Sequence, residues 1–468
     1  MTARHWDRTL PRRALAVLGF TVVVVVASQL IAAGRVAPAL AAPAQAAVPG
    51  AAAPDIATFD GGDAISPSSG AELGRIQADI AFWSGRLKVS SGDFVSAERW
   101  GESEVDLARA TGDVTAYLRA EAAFDAALRL YPEMPAARAY KGAVLVSLHR
   151  FADATALARS TLAQTPNDPT ALATLGDASL ELGDVGAARN AFERLASAAP
   201  SAAADARLSH LAFITGDTAS ALRLAHAAVA ASDDEEATGE RAAFYRYQLA
   251  ETLIGTGDRA GAEIAYRDAL ATDPGSFLAH AGLAHALAAR NDVDGAIDEL
   301  STAIAIVPLP ESLARRADLY TLRDGPGDAA RASKDQALVE FEARLAGDAA
   351  YVYDRTLVLY LANHALDPDR AVSLATAELA VRKDAYGYDA LAWALLAAGR
   401  PADAQANMTL ALAFGTKDAR LEYHAGMIAL ALGDTARARS ELEAALALDP
   451  GFDPLQAAHA RQALASIR

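Results

Sequence analysis

Small and apolar positions return in register every 34 residues between positions 135 and 200. Gly142 is matched by Gly176, Phe151 by Val185, Ala154 by Ala188 and Pro166 by Pro200. A period of this length is the mark of a solenoid built from stacked supersecondary units. In the second copy, Leu172, Leu175 and Leu180 fall mostly on one face of a helix predicted over 169–182, which Gly183 and Asp184 end. Asp184 is placed to cap a second helix that carries Ala188, Phe192 and Leu195 at i, i+4 and i+7 and stops at Pro200. Gly176 and Ala188 have little or no side chain, so the two helices can approach closely while Phe192 fills the space beside them.

The pattern resembles the tetratricopeptide repeat family. Its units have a small residue at position 8, a Gly-Asp-like turn at 15 and 16, Ala at 20, a large apolar residue at 24, Ala at 27 and Pro at 32. The matching residues are Gly142, Ala154 and Pro166, then Gly176, Gly183, Asp184, Ala188, Phe192 and Pro200. Later units hold Gly257, Asp258, Ala262, Tyr266, Ala269 and Pro274, then Gly433, Asp434, Ala438, Leu442, Ala445 and Pro450. The resemblance implies an all-α fold, a right-handed superhelical solenoid of antiparallel helix pairs.

The alanines at position 20 continue through Ala97, Ala120, Ala154, Ala188, Ala221, Ala262, Ala296, Ala332, Ala371, Ala404 and Ala438. This gives about ten to eleven units over 71–452, followed by a C-terminal capping helix over 453–468. Ala97 and Ala120 are only 23 residues apart, so a first helix there must be short or merged with its neighbour. Three other gaps are long. One holds the acidic run 232–236, expected as a solvated loop; one holds the turn 324–328; the third holds an extended helix through Phe341, and the solenoid is bent or split near 347.

Composition narrows the chemistry. Among 468 residues, 52% are hydrophobic and only 6% aromatic, which suits helices packed through Ala and Leu. Cysteine is absent, which excludes disulfides, thiolate chemistry and Cys-ligated metals. The net charge of -17 repels phosphate backbones and anionic membrane surfaces, so nucleic acid is not the expected partner.

The first 46 residues read as a signal peptide or an N-terminal membrane anchor. Arg4, Arg8, Arg12 and Arg13 precede an apolar run over 14–33, and the alanines around Leu40 and Gln45 offer cleavage sites. The run is also long enough to span a bilayer and tether the chain. Either reading puts the repeats outside the cytoplasm, periplasmic or secreted, or anchored to the inner or cytoplasmic membrane. Residues 47–70, rich in Ala, Pro, Gly and Ser, read as a flexible linker.

No motif for catalysis, metal or cofactor emerges. The run around Asn291, Asp292 and Asp294 places Arg290 and Ser301 where a calcium loop needs acidic ligands, and the repeat register makes it a turn and cap. Gly255, Gly257 and Gly261 follow no strand and lack phosphate-loop spacing. His280 and His285 are five residues apart on a predicted helix, a poor spacing for one zinc.

What remains is a surface for recognition, and the chain is expected to be no enzyme. The resemblance implies that first helices line a concave groove through positions 2, 5, 9 and 12. That register puts Tyr353, Tyr360, Tyr386, Trp393, Tyr423 and Met427 on the inner face, an aromatic and thioether strip suited to an apolar segment. Relatives that clamp a chaperone's terminal carboxylate do so with Lys, Asn and Arg. The corresponding places here hold Ala139, Ala143, Ala173 and Asp177, so that clamp is absent.

The expected function is a non-enzymatic scaffold that binds a protein or peptide segment in envelope complex assembly. The alternatives are a hydrolase acting on envelope polymers through carboxylates in the groove, and a self-associating structural protein.

Overall fold

The computed structural model describes residues 67–347 and 355–467. The segment read as signal or anchor, most of the stretch read as linker, and Tyr353 lie outside the described residues. No described helix is long and apolar enough to cross a membrane.

Among the described residues the chain forms 22 α-helices and no strand. They are α1 (Pro67–Val89), α2 (Phe94–Thr111), α3 (Val114–Leu130), α4 (Pro135–Ser147), α5 (Phe151–Gln164), α6 (Pro169–Glu181), α7 (Val185–Ala198) and α8 (Ala202–Ile214). Next come α9 (Thr218–Asp234), α10 (Gly239–Gly255), α11 (Arg259–Thr272), α12 (Phe277–Ala289), α13 (Val293–Ile306), α14 (Pro310–Arg323) and α15 (Asp328–Gly347). The series ends with α16 (Arg355–Asn363), α17 (Pro368–Val381), α18 (Ala385–Ala397), α19 (Pro401–Leu412), α20 (Ala419–Ala431), α21 (Thr435–Leu448) and α22 (Gln456–Ser466).

Consecutive helices pack as antiparallel pairs, and the pairs stack into a solenoid. Most turns within pairs share one device. Asp93, Asp184, Asp217, Asp258, Asp292 and Asp434 each cap the helix that follows by accepting a backbone N–H three residues on. The supposed calcium loop at Asp292 and glycine-rich run at Gly257 are two of these turns.

Close approach is built with glycine. A Cβ on Gly176 would overlap the ring of Phe192, one on Gly282 the ring of Tyr266, and one on Gly426 would lie 2.7 Å from Leu442 Cγ. Gly101 repeats the arrangement, with Phe124 Cε1 2.6 Å from where its Cβ would be. Helix α2 therefore acts twice, as second helix to α1 and as first helix to α3. That double use explains the short interval between Ala97 and Ala120.

The acidic run expected as a loop is mostly helical. Helix α9 extends through Asp234, Ser232 is fully buried, and Glu235 accepts the backbone N–H of Ala202 at 2.8 Å, while the acids themselves face solvent. The N-terminus of α8 draws that carboxylate in, since its first amides have no helical partner.

One apolar cluster runs from Ala225 on α9 to Ile428 on α20, with Val339 before residues 348–354 and Leu357, Val358 and Leu361 after them. At the C-terminal end, α22 buries Ala460, Ala463 and the following Ile467 against Trp393, Tyr423 and Leu442.

The superhelix also closes on itself. The turns after the first helices α6, α8 and α12 meet the turns that lead into α18 and α20 and that follow α21. Lys383 N–H donates to the Glu181 carbonyl at 2.9 Å, and Thr416 Oγ1 donates to the Ile214 carbonyl at 2.6 Å. His285 Nε2 lies 2.8 Å from Asp449 Oδ2. Glycines line this seam because backbone meets backbone. A Cβ on Gly183 would overlap the Lys383 carbonyl, one on Gly216 the Gly415 carbonyl, and one on Gly451 the backbone of Ala289.

Candidate functional site

Closure of the seam turns the concave groove into a central cavity of about 530 Å³. Its walls come from the first helices α8, α10, α12, α14, α16, α18 and α20, with the turns at Arg382 and Asp449 completing it. The inward face of first helices expected from the resemblance is thus where the space is found.

One wall of the cavity brings charged and aromatic side chains together. Tyr386 lies between two guanidinium groups, with Arg355 Cζ 5.9 Å and Arg420 Cζ 5.6 Å from its ring centroid. Its hydroxyl donates to Asp418 Oδ2 at 3.2 Å, and burial pushes the phenol well above its ordinary pKa. The ring is therefore a neutral π face carrying two cations.

Those two arginines differ. Arg355 Nη2 is 2.6 Å from Glu378 Oε1 and 2.9 Å from Asp384 Oδ1. Burial disfavours the charge on Arg355, yet Asp384 and Glu378 outweigh it and keep the guanidinium protonated. Arg382 joins the same cluster and reaches Glu181 Oε2 at 2.7 Å. Burial pushes Glu378 above the usual carboxylate range, whereas Asp384 is held below it, against burial, by Arg355 and Arg382. Arg420 has no ion pair among the described residues, and its buried Nε has no hydrogen-bond partner. Burial opposes its charge, and Asp418 and Asp389 at longer range sustain it.

Acids and histidines on the other walls are held by neighbours. Tyr266 donates to Glu251 Oε1 at 2.5 Å, and burial still pushes Glu251 above its ordinary pKa. Asp449 stays below the usual range, against burial, because His285 is beside it. Asp318, raised by burial, faces His364 Nε2 at 3.3 Å. His210 is held neutral by burial, its pKa lowered to about 4. His280 bonds Glu299 at 2.6 Å, on a different side from His285, so the two histidines do not converge. No cluster of His, Asp and Glu that could hold a metal is present among the described residues.

Of the strip predicted on the inner face, Tyr360 and Tyr386 line the cavity. Trp393 and Tyr423 lie in the apolar cluster that seats α22, and Met427 packs against it. Trp393 stacks on His424 at 4.1 Å and donates to Asn363 Oδ1 at 2.8 Å, and the Tyr423 hydroxyl donates to Gln456 Oε1 at 2.6 Å. Tight curvature brings consecutive first helices close enough for these rings to pack on one another. Asp177, at a place where other relatives clamp a carboxylate, is itself bound by Arg207 at 2.9 and 3.0 Å.

Sequence reasoning passed over Arg355, Arg382 and Arg420. The register that selected Tyr386 at position 2 puts Arg420 at position 2 of the next unit, so a search by position without a filter for aromatic residues finds it.

Two family models, both described as Tetratricopeptide repeat, match the chain. One covers residues 145–211 and 253–318, the other 105–169 and 390–454. Comparison with the curated proteins gives no match. Among solved structures, a thermophilic TPR protein of Thermus thermophilus is 21% identical, covering 42% of this chain and 99% of its own, with a TM-score of 0.37. The APC/C hetero-tetramer Cut9-Hcn1 is 13% identical over 86% of this chain and 97% of its own, with a TM-score of 0.31. MamA is 20% identical over 35% of this chain and 93% of its own, with a TM-score of 0.29.

Proposed function

The chain is a tetratricopeptide-repeat protein, and from that premise we propose that it is a non-enzymatic scaffold whose central cavity holds a polar segment of a partner protein. Repeats of this family generally serve protein–protein interaction. The observation that carries the finer reading is Arg420, a guanidinium on the cavity wall with no ion pair among the described residues, stacked on Tyr386. Its buried Nε–H has no acceptor, and a ligand carbonyl or carboxylate would satisfy it. Tyr386 adds a rigid amphipathic surface with few rotors to freeze. A preformed wall of this kind favours an extended segment, whose backbone amides match a lining of mixed acids, arginines and tyrosines.

The setting we propose is outside the cytoplasm, in assembly of an envelope complex, with the run over 14–33 as tether. Four arginines before that run and small residues after it support this reading.

The test is peptide display against the full-length chain, followed by affinity measurement for selected peptides on Arg420→Ala and Tyr386→Ala variants. Losses of tenfold or more in both support the cavity as the binding site. Peptides that bind both variants as tightly as the parent overturn it.

A further inference from the structure

The two ends of the solenoid are finished differently. At the C-terminal end, α22 covers the last pair and buries Ala457, Ala460 and Ala463. At the N-terminal end, α1 packs on α2 and leaves large apolar side chains in the open: Phe82 is 55% exposed and Val89 92%, and Phe94, Leu130 and Tyr131 are also exposed. Terminal units of a solenoid ordinarily turn a polar face outward. This one mixes Arg75, Gln77, Arg86 and Lys88 with large exposed apolar side chains.

The exposed side chains form one connected patch. Phe82 meets Trp83 edge-on at 4.7 Å, and Arg86 Cζ lies 6.0 Å from both ring centroids. Arg86 Nη2 then reaches Asp93 Oδ2 at 3.1 Å, and Phe94 beside it packs on Tyr131 at 5.4 Å. Charged residues of both signs stand at its margin: Arg86 paired with Asp93, Lys88 in the last turn of α1, Arg129 in the last turn of α3, and the exposed Glu133.

We infer that this N-terminal patch rests on a lipid bilayer, with its rings and Val89 at the headgroup level. Three observations favour lipid over a second copy of the chain. Exposed aromatic rings with Lys88 and Arg129 among the charged residues at their margin match the composition of a membrane interface, where rings sit among headgroups and long basic side chains reach water. Val89 projects from the corner between α1 and α2, a shape that enters a fluid interface and leaves gaps against a flat protein face. Finally, only 33 residues separate the apolar run ending at Ala33 from the start of α1, so the first helix pair, whose turn carries Val89 and Phe94, is the pair covalently nearest to any bilayer that takes up the run. The last point rests on the tether reading above; the first two do not.

The chain has no cysteine, so a single introduced thiol can be labelled cleanly. Full-length Val89→Cys and Leu410→Cys, the latter exposed on α19, would each carry a spin label after reconstitution with phosphatidylcholine vesicles, which add no anionic surface against the net charge of -17. Vesicle flotation is recorded first, then accessibility to oxygen and to a nickel chelate. The expected result is flotation, with the ratio of oxygen to nickel accessibility several-fold higher at position 89 than at position 410. Flotation with equal ratios overturns the patch and leaves the tether standing. Absence of flotation overturns both. Spin–spin broadening at position 89 at low protein-to-lipid ratio assigns the patch to a second copy. Protection from both reagents assigns it to the chain's own upstream residues. Either result overturns the lipid contact.

Discussion

Arg382 donates through Nε to Glu181 Oε2 at 2.7 Å across 201 positions of sequence. The next residue, Lys383, bonds the Glu181 carbonyl through its backbone. A solenoid whose units touch only their neighbours has no such contacts. These contacts bring the two halves of the groove together around a cavity that stays partly open to solvent.

The seam can be tested at Gly451. Its Cβ would overlap the backbone of Ala289, and its φ is not in the left-handed region, so a larger residue there is opposed by the neighbouring helix and not by its own backbone. Gly451→Val is expected to part α12 from the turn after α21 and break the His285–Asp449 contact, at a cost of about 1–3 kcal/mol. Spin-label distances between α12 and the turn after α21 check this: a longer, broader distribution supports the seam, and an unchanged one refutes its rigidity.

The helix pairs were legible in the sequence because their causes are local. Gly176 with Phe192, Asp184 as a cap and Pro200 as a stop each act within one unit, and the same chemistry recurs down the chain. The seam was not legible. Glu181 and Arg382 are ordinary helix-end residues, and only the accumulated rotation of the units between them brings them together. The cavity was legible in part. Register placed Tyr360 and Tyr386 on its wall, but the degree of curvature, which no single unit encodes, decides that Trp393 and Tyr423 pack into the core.

Close packing at Gly176 reverses the usual sign of a helical glycine substitution. Replacing an exposed helical glycine by alanine ordinarily stabilises by about 0.5–1 kcal/mol. Gly85 on α1 has open space where its Cβ would be, so Gly85→Ala should follow that rule. Gly176→Ala should instead destabilise by about 1–3 kcal/mol, because the new methyl meets the fully buried Phe192 ring. Urea unfolding of both variants is the check, and a stabilising Gly176→Ala would refute the close approach.

Glu422 gives a pH dependence with a defined sign. Burial, together with Glu441, raises its pKa to about 8. Because the folded value exceeds the unfolded one of about 4.5, the contribution of Glu422 to stability is complete below pH 4.5 and is lost as pH rises through about 8. Gln has no charge to lose. Glu422→Gln should therefore match the parent near pH 5 and exceed it by on the order of 1–2 kcal/mol at pH 9. Thermal melts at the two pH values decide it, and a difference independent of pH would contradict the shared burial of the two carboxyls.

The two guanidiniums flanking Tyr386 should separate stability from binding. Arg355 neutralises Glu378, which is fully buried, and Asp384, which is nearly so. Removing it leaves uncompensated charge, so Arg355→Met should cost about 3–5 kcal/mol, and adding Glu378→Gln should recover part of the loss. Arg420 neutralises no carboxylate by direct contact among the described residues. Arg420→Met should change stability by no more than about 0.5 kcal/mol, because it exchanges a half-buried guanidinium with one unsatisfied N–H for an apolar chain of similar length. If the cavity holds a partner segment, the same Arg420→Met should still weaken peptide binding about tenfold, roughly 1.4 kcal/mol. Calorimetric titration of the stable variant is the decisive measurement. A protein with unaltered melting and unaltered affinity would place the partner elsewhere on the solenoid, whereas intact folding with lost binding would assign Arg420 to recognition and Arg355 to holding the wall on which recognition occurs.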